Sequence, residues 1–323
     1  MLLGLGACGP SDEAPAEARW RMVFEQLDGA VISVHGTSAS DVWAVGGDPG
    51  TGPLVLHYDG ARWTRRQSGA SADLWWVHAL APDDVFFGGS KGTILRFDGT
   101  SFESLPTPSD ATVFGIWGTS SSDLWAVGGD PLVVGKAFVW RFDGQTWAPA
   151  AGMVDVPVSS YFKVWGRSAT DVRIVGSDGV ILHFDGDAFT AADSPTTRRL
   201  LTLHASPDAP WVAVGGLGVA VVLEDAGAGW QDVTPEEPLK AIIGVHVQAN
   251  VGYAAGNGGT VLERTATGWK RQSLGFDVFQ DFHSVWIDET AGVWVAGGDL
   301  ATSPLVSGVL IHRGEKPPSR QLD

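Results

Sequence analysis

Cysteine is almost missing from this chain: among 323 residues there is one, Cys8, so no intramolecular disulfide can staple the fold and apolar burial has to hold it. Positive charge is scarce too. Twenty-one Lys and Arg stand against 37 Asp and Glu, a formal net charge of −16 with no basic stripe, which argues against binding a phosphate backbone and so against a nucleic-acid partner. The acidic balance instead favours solubility, cationic partners or metal ions. No apolar run after the first few residues reaches bilayer-spanning length. Catalytic signatures are lacking as well: no glycine-rich phosphate loop, zinc signature, Ser/His/Asp arrangement or Ser-x-Asp-x-Gly-x-Thr-Trp box occurs. A sialidase-like site would need a tyrosine nucleophile and an arginine cluster. The three tyrosines, Tyr58, Tyr161 and Tyr253, lie in or beside repeat strands, and the pairs Arg65-Arg66 and Arg198-Arg199 fall in connections between repeats.

Glycine (43) and tryptophan (15) are plentiful, and they recur in a repeat. Its clearest copy runs from Val113 to Trp147. Val113 to Trp117, Leu124 to Val127 and Ala137 to Phe142 are short, apolar and rich in β-branched and aromatic residues, which predicts strands too short to be helices. A Ser/Thr/Asp turn separates the first two, and Asp143-Gly144 marks a hairpin before Trp147. The unit is thus an antiparallel meander of four strands, here lettered a to d. The aromatic of strand d recurs as Trp20, Trp63, Phe102, Trp147, Phe189, Trp230 and Trp269, at the period of four-stranded propeller blades. Strand a gives the same count through Val34-His35, Val77-His78, Ile116-Trp117, Val164-Trp165, Leu203-His204, Val245-His246 and Val285-Trp286.

The expected fold is therefore all-β, a seven-bladed propeller over residues 19–315. Trp20 precedes the first strand a, whereas the last copy ends at Val309-Leu310-Ile311-His312 without a fourth-strand aromatic. Residues Trp20 to Glu25 should then complete the last blade and remove two free sheet edges. Residues 316–323 are expected to form a disordered tail, and residues 1–18 a shortened export signal with a flexible tether. Leu5-Gly6-Ala7-Cys8 resembles the lipobox of bacterial lipoproteins, in which the cysteine becomes the lipidated first residue. Cys8 is accordingly the expected lipidation site, the true start is expected upstream of Met1, and the uncharged Gly9 points to outer-membrane sorting.

In a propeller the b-to-c and d-to-a connections share one face. The b-to-c loops are long in blades one (47–53), three (129–135) and seven (298–308), which marks this as the binding face. Its candidate residues are Asp48, Pro49, Asp130, Pro131, Asp299 and Leu300. The three aspartates, each following Gly-Gly, are weak calcium candidates, although an Asp beside Gly or Pro is more often a turn former. No other metal site and no catalytic residue is expected. His35, His78, His204 and His246 of strand a read as packing residues directed into the layers between blades, because Trp fills the same position in the other blades. Asp41, Asp84, Asp123 and Asp171 read as caps of the a-to-b turn, and blade four departs from the pattern at Arg173.

The unit Trp117 to Trp147 resembles the repeat of secreted bacterial propellers of myxobacterial type, classed with the WD40/YVTN/BNR-like superfamily, and is more distantly similar to the propeller that assists photosystem II assembly. The resemblance covers about residues 20 to 313 and implies the fold. It carries no functional residue across, since propellers host unrelated activities. The expected function is non-catalytic scaffolding at the cell envelope, with an envelope protein bound through the long-loop face and the membrane met only through a lipid anchor. The alternatives are a lectin-like module binding a saccharide, against which the absence of Trp from those loops counts, and a degenerate glycoside-acting enzyme, which would need acidic residues at the channel mouth. Deleting 298–308 is expected to abolish binding with little loss of stability.

Overall fold

The structure, a computed structural model, describes residues 18–323. Cys8 and the tether lie outside the described residues. Seven four-stranded antiparallel sheets form a ring, each with strand order a-b-c-d. Blade three, for example, is built from Thr112–Ser120, Asp123–Gly129, Phe138–Phe142 and Trp147–Pro149. The innermost strands contact one another around the axis.

Closure follows the predicted route. Arg19–Leu27 is the outer strand of blade seven and pairs with Val306–Gly314, with Trp20 opposite Arg313 and Phe24 opposite Leu310. Both chain ends thus share one sheet. Residues 316–323, expected as a disordered tail, instead reach the free edge of blade one. There Trp63 and Arg65 N–H donate to Gln321 and Asp323 carbonyls at 3.0 and 3.1 Å, and Asp323 N–H returns a bond to Trp63. The outer strand's unpaired backbone groups are what the tail satisfies.

The core consists of seven apolar layers, one between each pair of successive blades. The strand-d aromatic packs against the preceding blade, where it meets an aromatic of strand b edge-on: Trp43 with Phe102, Trp125 with Phe189, Tyr253 with Trp20 and Trp294 with Trp63 have centroids 5.4 to 6.2 Å apart. Such T-shaped pairs match positive ring edges to negative faces. Arg173 occupies this strand-b position in blade four. Its guanidinium lies 5.2 Å from the Trp230 ring centroid and 4.7 Å from that of Trp211, and donates to Asp225 at 2.8 Å. A cation over an aromatic face replaces the aromatic pair, and the Asp225-Ala-Gly-Ala-Gly229 turn that sets blade five apart supplies its counter-ion.

The aspartates opening strand b do more than cap a turn. Asp41, Asp84, Asp123 and Asp171 each pair with a base on strand c, namely His57, Arg96, Arg141 and His183. Asp41 and Asp123 also accept the hydroxyl of the threonine four residues earlier.

Candidate binding face and channel mouth

Hydrogen bonds tie the b-to-c loops to the d-to-a connections and so define the long-loop face. Asp48 N–H donates to Asp73 Oδ1 at 2.8 Å, and Asp130 and Gly135 N–H donate to Ser159 and Val158 carbonyls. The candidate residues on these loops differ in character. Asp48 Oδ1 accepts from Gly50 and Gly52 N–H at 2.7 and 2.9 Å, Asp130 Oδ1 from Leu132 N–H at 3.0 Å, and Asp299 Oδ1 from Ala301 N–H at 3.2 Å. This is turn-former geometry. Among the described residues no three His, Cys, Asp or Glu side chains converge as a metal-ligand set.

Pro131 and Leu300 turn toward the axis, Pro131 lining the channel mouth and Leu300 packing with Ile32 and Trp75. Pro49 is half-buried. Segment 298–308 is no free loop: Asp299 pairs with Val306, Leu305 is buried, and the Leu305 carbonyl accepts from Ala30 N–H at 3.0 Å. Its deletion would cut the closing blade, so the expected indifference of stability does not hold.

Apolar exposure lies elsewhere on the same face. Leu132 (93% exposed), Val133 and Val134 crown the blade-three loop, Leu217 and Val219 the blade-five hairpin, and Phe279 (86%) the connection into blade seven. Among the described residues, six of the eight strongly exposed large apolar side chains therefore sit on this face; Val251 and Leu322 are the others.

The strand-a rings lie at the inner ends of the layers between blades, each against strand a of the next blade, with His35 and His204 Nδ1 accepting from Ala79 and Val247 N–H at 3.1 and 3.2 Å, and they meet one another near the axis. The reason is geometric: the seven inner strands converge there. Trp165 reaches across it to within 6.4 Å of the His35 ring and 6.0 Å of the His78 ring, while His204 lies 4.2 Å from Trp165 and 3.8 Å from His246. These rings fill the channel. Burial lowers all four histidines, His78 to about 4 and His246 to about 3, and in His35 and His204 neighbouring histidines add to it. They are neutral packing groups at pH 7.

Three residues upstream of each of these rings, every strand a carries a β-bulge, at Ile32, Trp75, Phe114, Phe162, Leu201, Ile243 and His283. A bulge re-aims a side chain. Apart from Ile32, which packs beside the opening, all of these line a cavity of about 190 Å³ at the channel mouth on the long-loop face, together with Pro131, Lys163 and Arg199. Trp75 meets Phe114 at 5.5 Å and His283 at 6.0 Å, and Phe114 meets Phe162 at 5.4 Å. His283 Nδ1 donates to the Ile32 carbonyl at 2.8 Å, and burial together with nearby Lys163 lowers the ring to about 4.

Lys163 is 3% exposed. Its Nζ donates to the Phe114 carbonyl at 3.0 Å and lies 3.4 Å from the Trp76 ring centroid, and burial pushes the ammonium far down. To get there from blade four it crosses strand a of blade three at Gly115, where a Cβ would meet Lys163 Cα and Cδ at 3.3 Å. Sequence reasoning passed over this mouth. Its signal was the apolar column three residues before each strand-a ring, with a lone lysine in the column beside it.

No protein-family profile matches the sequence, and no curated protein sequence does. Solved structures do match in shape. A structure titled YCF48 bound to D1 peptide aligns over 94% of this chain and 99% of its own, with a TM-score of 0.67 and 14% identity. The WD40 propeller domain of Doa1 aligns over 94% and 99%, with a TM-score of 0.67 and 15% identity. The GH74 xyloglucanase from Xanthomonas campestris aligns over 90% of this chain and 55% of its own, at 0.64 and 15%. At such identities the likeness establishes the seven-bladed fold and nothing about ligands.

Proposed function

We propose that this chain is a non-catalytic binding propeller that docks a polypeptide partner on its long-loop face, held at a bacterial envelope by a lipid on Cys8. The observation that carries the reading is the concentration of exposed apolar side chains, Leu132, Val133, Val134, Leu217, Val219 and Phe279, on loops of one face. Exposed apolar patches on a soluble surface mark interaction sites, and loops on a rigid scaffold can present them without cost to the core. Among the described residues the mouth lining includes no carboxylate, which supports binding over glycoside hydrolysis by paired acids. A neighbour in shape is titled as holding a peptide, which is compatible with the reading.

The test is affinity capture with the immobilised chain and envelope extract, comparing wild type with a Leu132→Asp, Val134→Asp, Phe279→Asp variant of matched melting temperature. Wild type should retain a defined protein, and both protease digestion of the extract and the triple variant should abolish retention. Equal retention by the variant, or retention of a saccharide from digested extract, would overturn the reading. For the anchor, the wild-type chain should partition with membranes and a Cys8→Ser chain should not.

A further inference from the structure

In a chain of net charge −16, the channel mouth gathers two basic side chains, Lys163 and Arg199, with no carboxylate lining it among the described residues. The Lys163 ammonium has three donors but spends one on the Phe114 carbonyl and rests against the Trp76 face. Half-buried Arg199 enters from the connection into blade five, and its guanidinium makes no hydrogen bond or ion pair among the described residues. The rest of the cup is ring and branched aliphatic carbon. At about 190 Å³ the cavity is smaller than the roughly 300–1,000 Å³ of sites for drug-sized ligands. It takes one ring or one branched side chain, and excludes an oligosaccharide.

The anion that suits this site carries one charge. Desolvation cost rises steeply with charge, and a planar carboxylate matches the guanidinium fork while leaving an oxygen for the lysine. We infer that the channel mouth binds an apolar monocarboxylate, with its ring or branched side chain in the aromatic cup and its carboxylate between Lys163 and Arg199. The C-terminal residue of a polypeptide and a small free aryl or alkyl acid share this chemistry. Because burial disfavours charge on Lys163 while the site is empty, the incoming carboxylate favours its protonation. His283, already donating through Nδ1 to Ile32 and lowered to about 4, stays neutral. The site shares a face with the proposed docking platform but uses none of the loop-tip side chains, so the two readings fail separately.

Titration calorimetry on the full chain tests this with 3-phenylpropanoate, its amide, phenyl phosphate, and a short peptide ending in phenylalanine with a free or an amidated C-terminus. The free acid should bind at least 10-fold more tightly than its amide. Lys163→Met and Arg199→Gln should each weaken it by roughly 10- to 100-fold, the loss expected for a charge-assisted hydrogen bond. Should Lys163→Met fail to fold, the half-exposed Arg199→Gln decides alone. The loop-tip triple variant should bind the acid as wild type does. A peptide requiring its free C-terminus identifies polypeptide capture, and binding of the small acid alone identifies a metabolite site. Equal affinity for acid and amide, tighter binding of phenyl phosphate, an unaffected Arg199→Gln, or no binding of any probe at millimolar concentration overturns the inference.

Discussion

His78 shows how single side chains in the channel trade charge for packing. Buried between the His35 and Trp165 rings at 5.3 and 6.0 Å, it is lowered by burial to about 4. The unfolded chain would hold this proton with a value near 6.5. Its neutral form is therefore native above pH 6.5, and stability is lost as pH falls from there toward 4, because the unfolded state takes up the proton first. At pH 5 the loss for this one group is on the order of 2 kcal/mol. A His78→Phe variant should show a smaller drop in melting temperature between pH 7.5 and 5 than wild type, although His35, His204 and His246 still contribute. An unchanged drop would mean that His78 is solvated in the native state. Arg173 makes a related point at neutral pH. Burial alone would raise its partner Asp225, yet Arg173 and the N–H groups of Gly227 and Gly229 hold that carboxylate below its usual range.

Among the elements, the outer strand of each blade has the least to hold it. Strand d of blade one, Trp63–Arg65, spans three residues, and the chain's last residues extend its sheet with three backbone bonds. The Arg62–Asp323 ion pair beside them is largely exposed and adds little. Removing residues 316–323 should cost about 1–3 kcal/mol, from net hydrogen-bond values near 1 kcal/mol each, and should uncover an edge that templates association. Thermal unfolding followed together with light scattering reads both. A truncated chain with unchanged melting and no added scattering would show that the tail leaves the edge in solution. Strand a is the other telling element, since its bulge recurs in all seven blades and turns a column of side chains from layer packing to lining the mouth.

At the scale of the whole molecule, a ring differs from an open stack of repeats in having no end blade. Open repeat arrays lose stability one interface at a time, whereas here Arg19–Leu27 completes blade seven and buries Trp20, Val23 and Phe24. Deleting residues 19–27 should broaden the denaturant transition and separate it into phases, as the apolar layers on either side of blade seven open before the rest. A single sharp transition at the wild-type midpoint would mean that closure adds nothing. The chain's negative charge also acts at this scale: an anionic ligand reaches the mouth against the overall field, so its association should speed up as salt screens that field.

The sequence by itself determined the number of blades, their strands to within a few residues, and the strand that closes the ring. Those features rest on local periodicity, on turn residues and on an aromatic repeated where each blade meets its neighbour. It also singled out Arg173 as a departure, and it located the face that bears the long loops. The tertiary structure alone decided where side chains of the inner strand go, because convergence of seven strands and the bulge in each are properties of the closed ring. It brought Lys163 of blade four over Gly115 of blade three to Trp76 of blade two, and it set Arg199 on the same cavity. It also drew residues 316–323 to an edge some 260 positions earlier in the chain. Contacts of that kind join residues far apart in sequence, and no window of local pattern contains both partners.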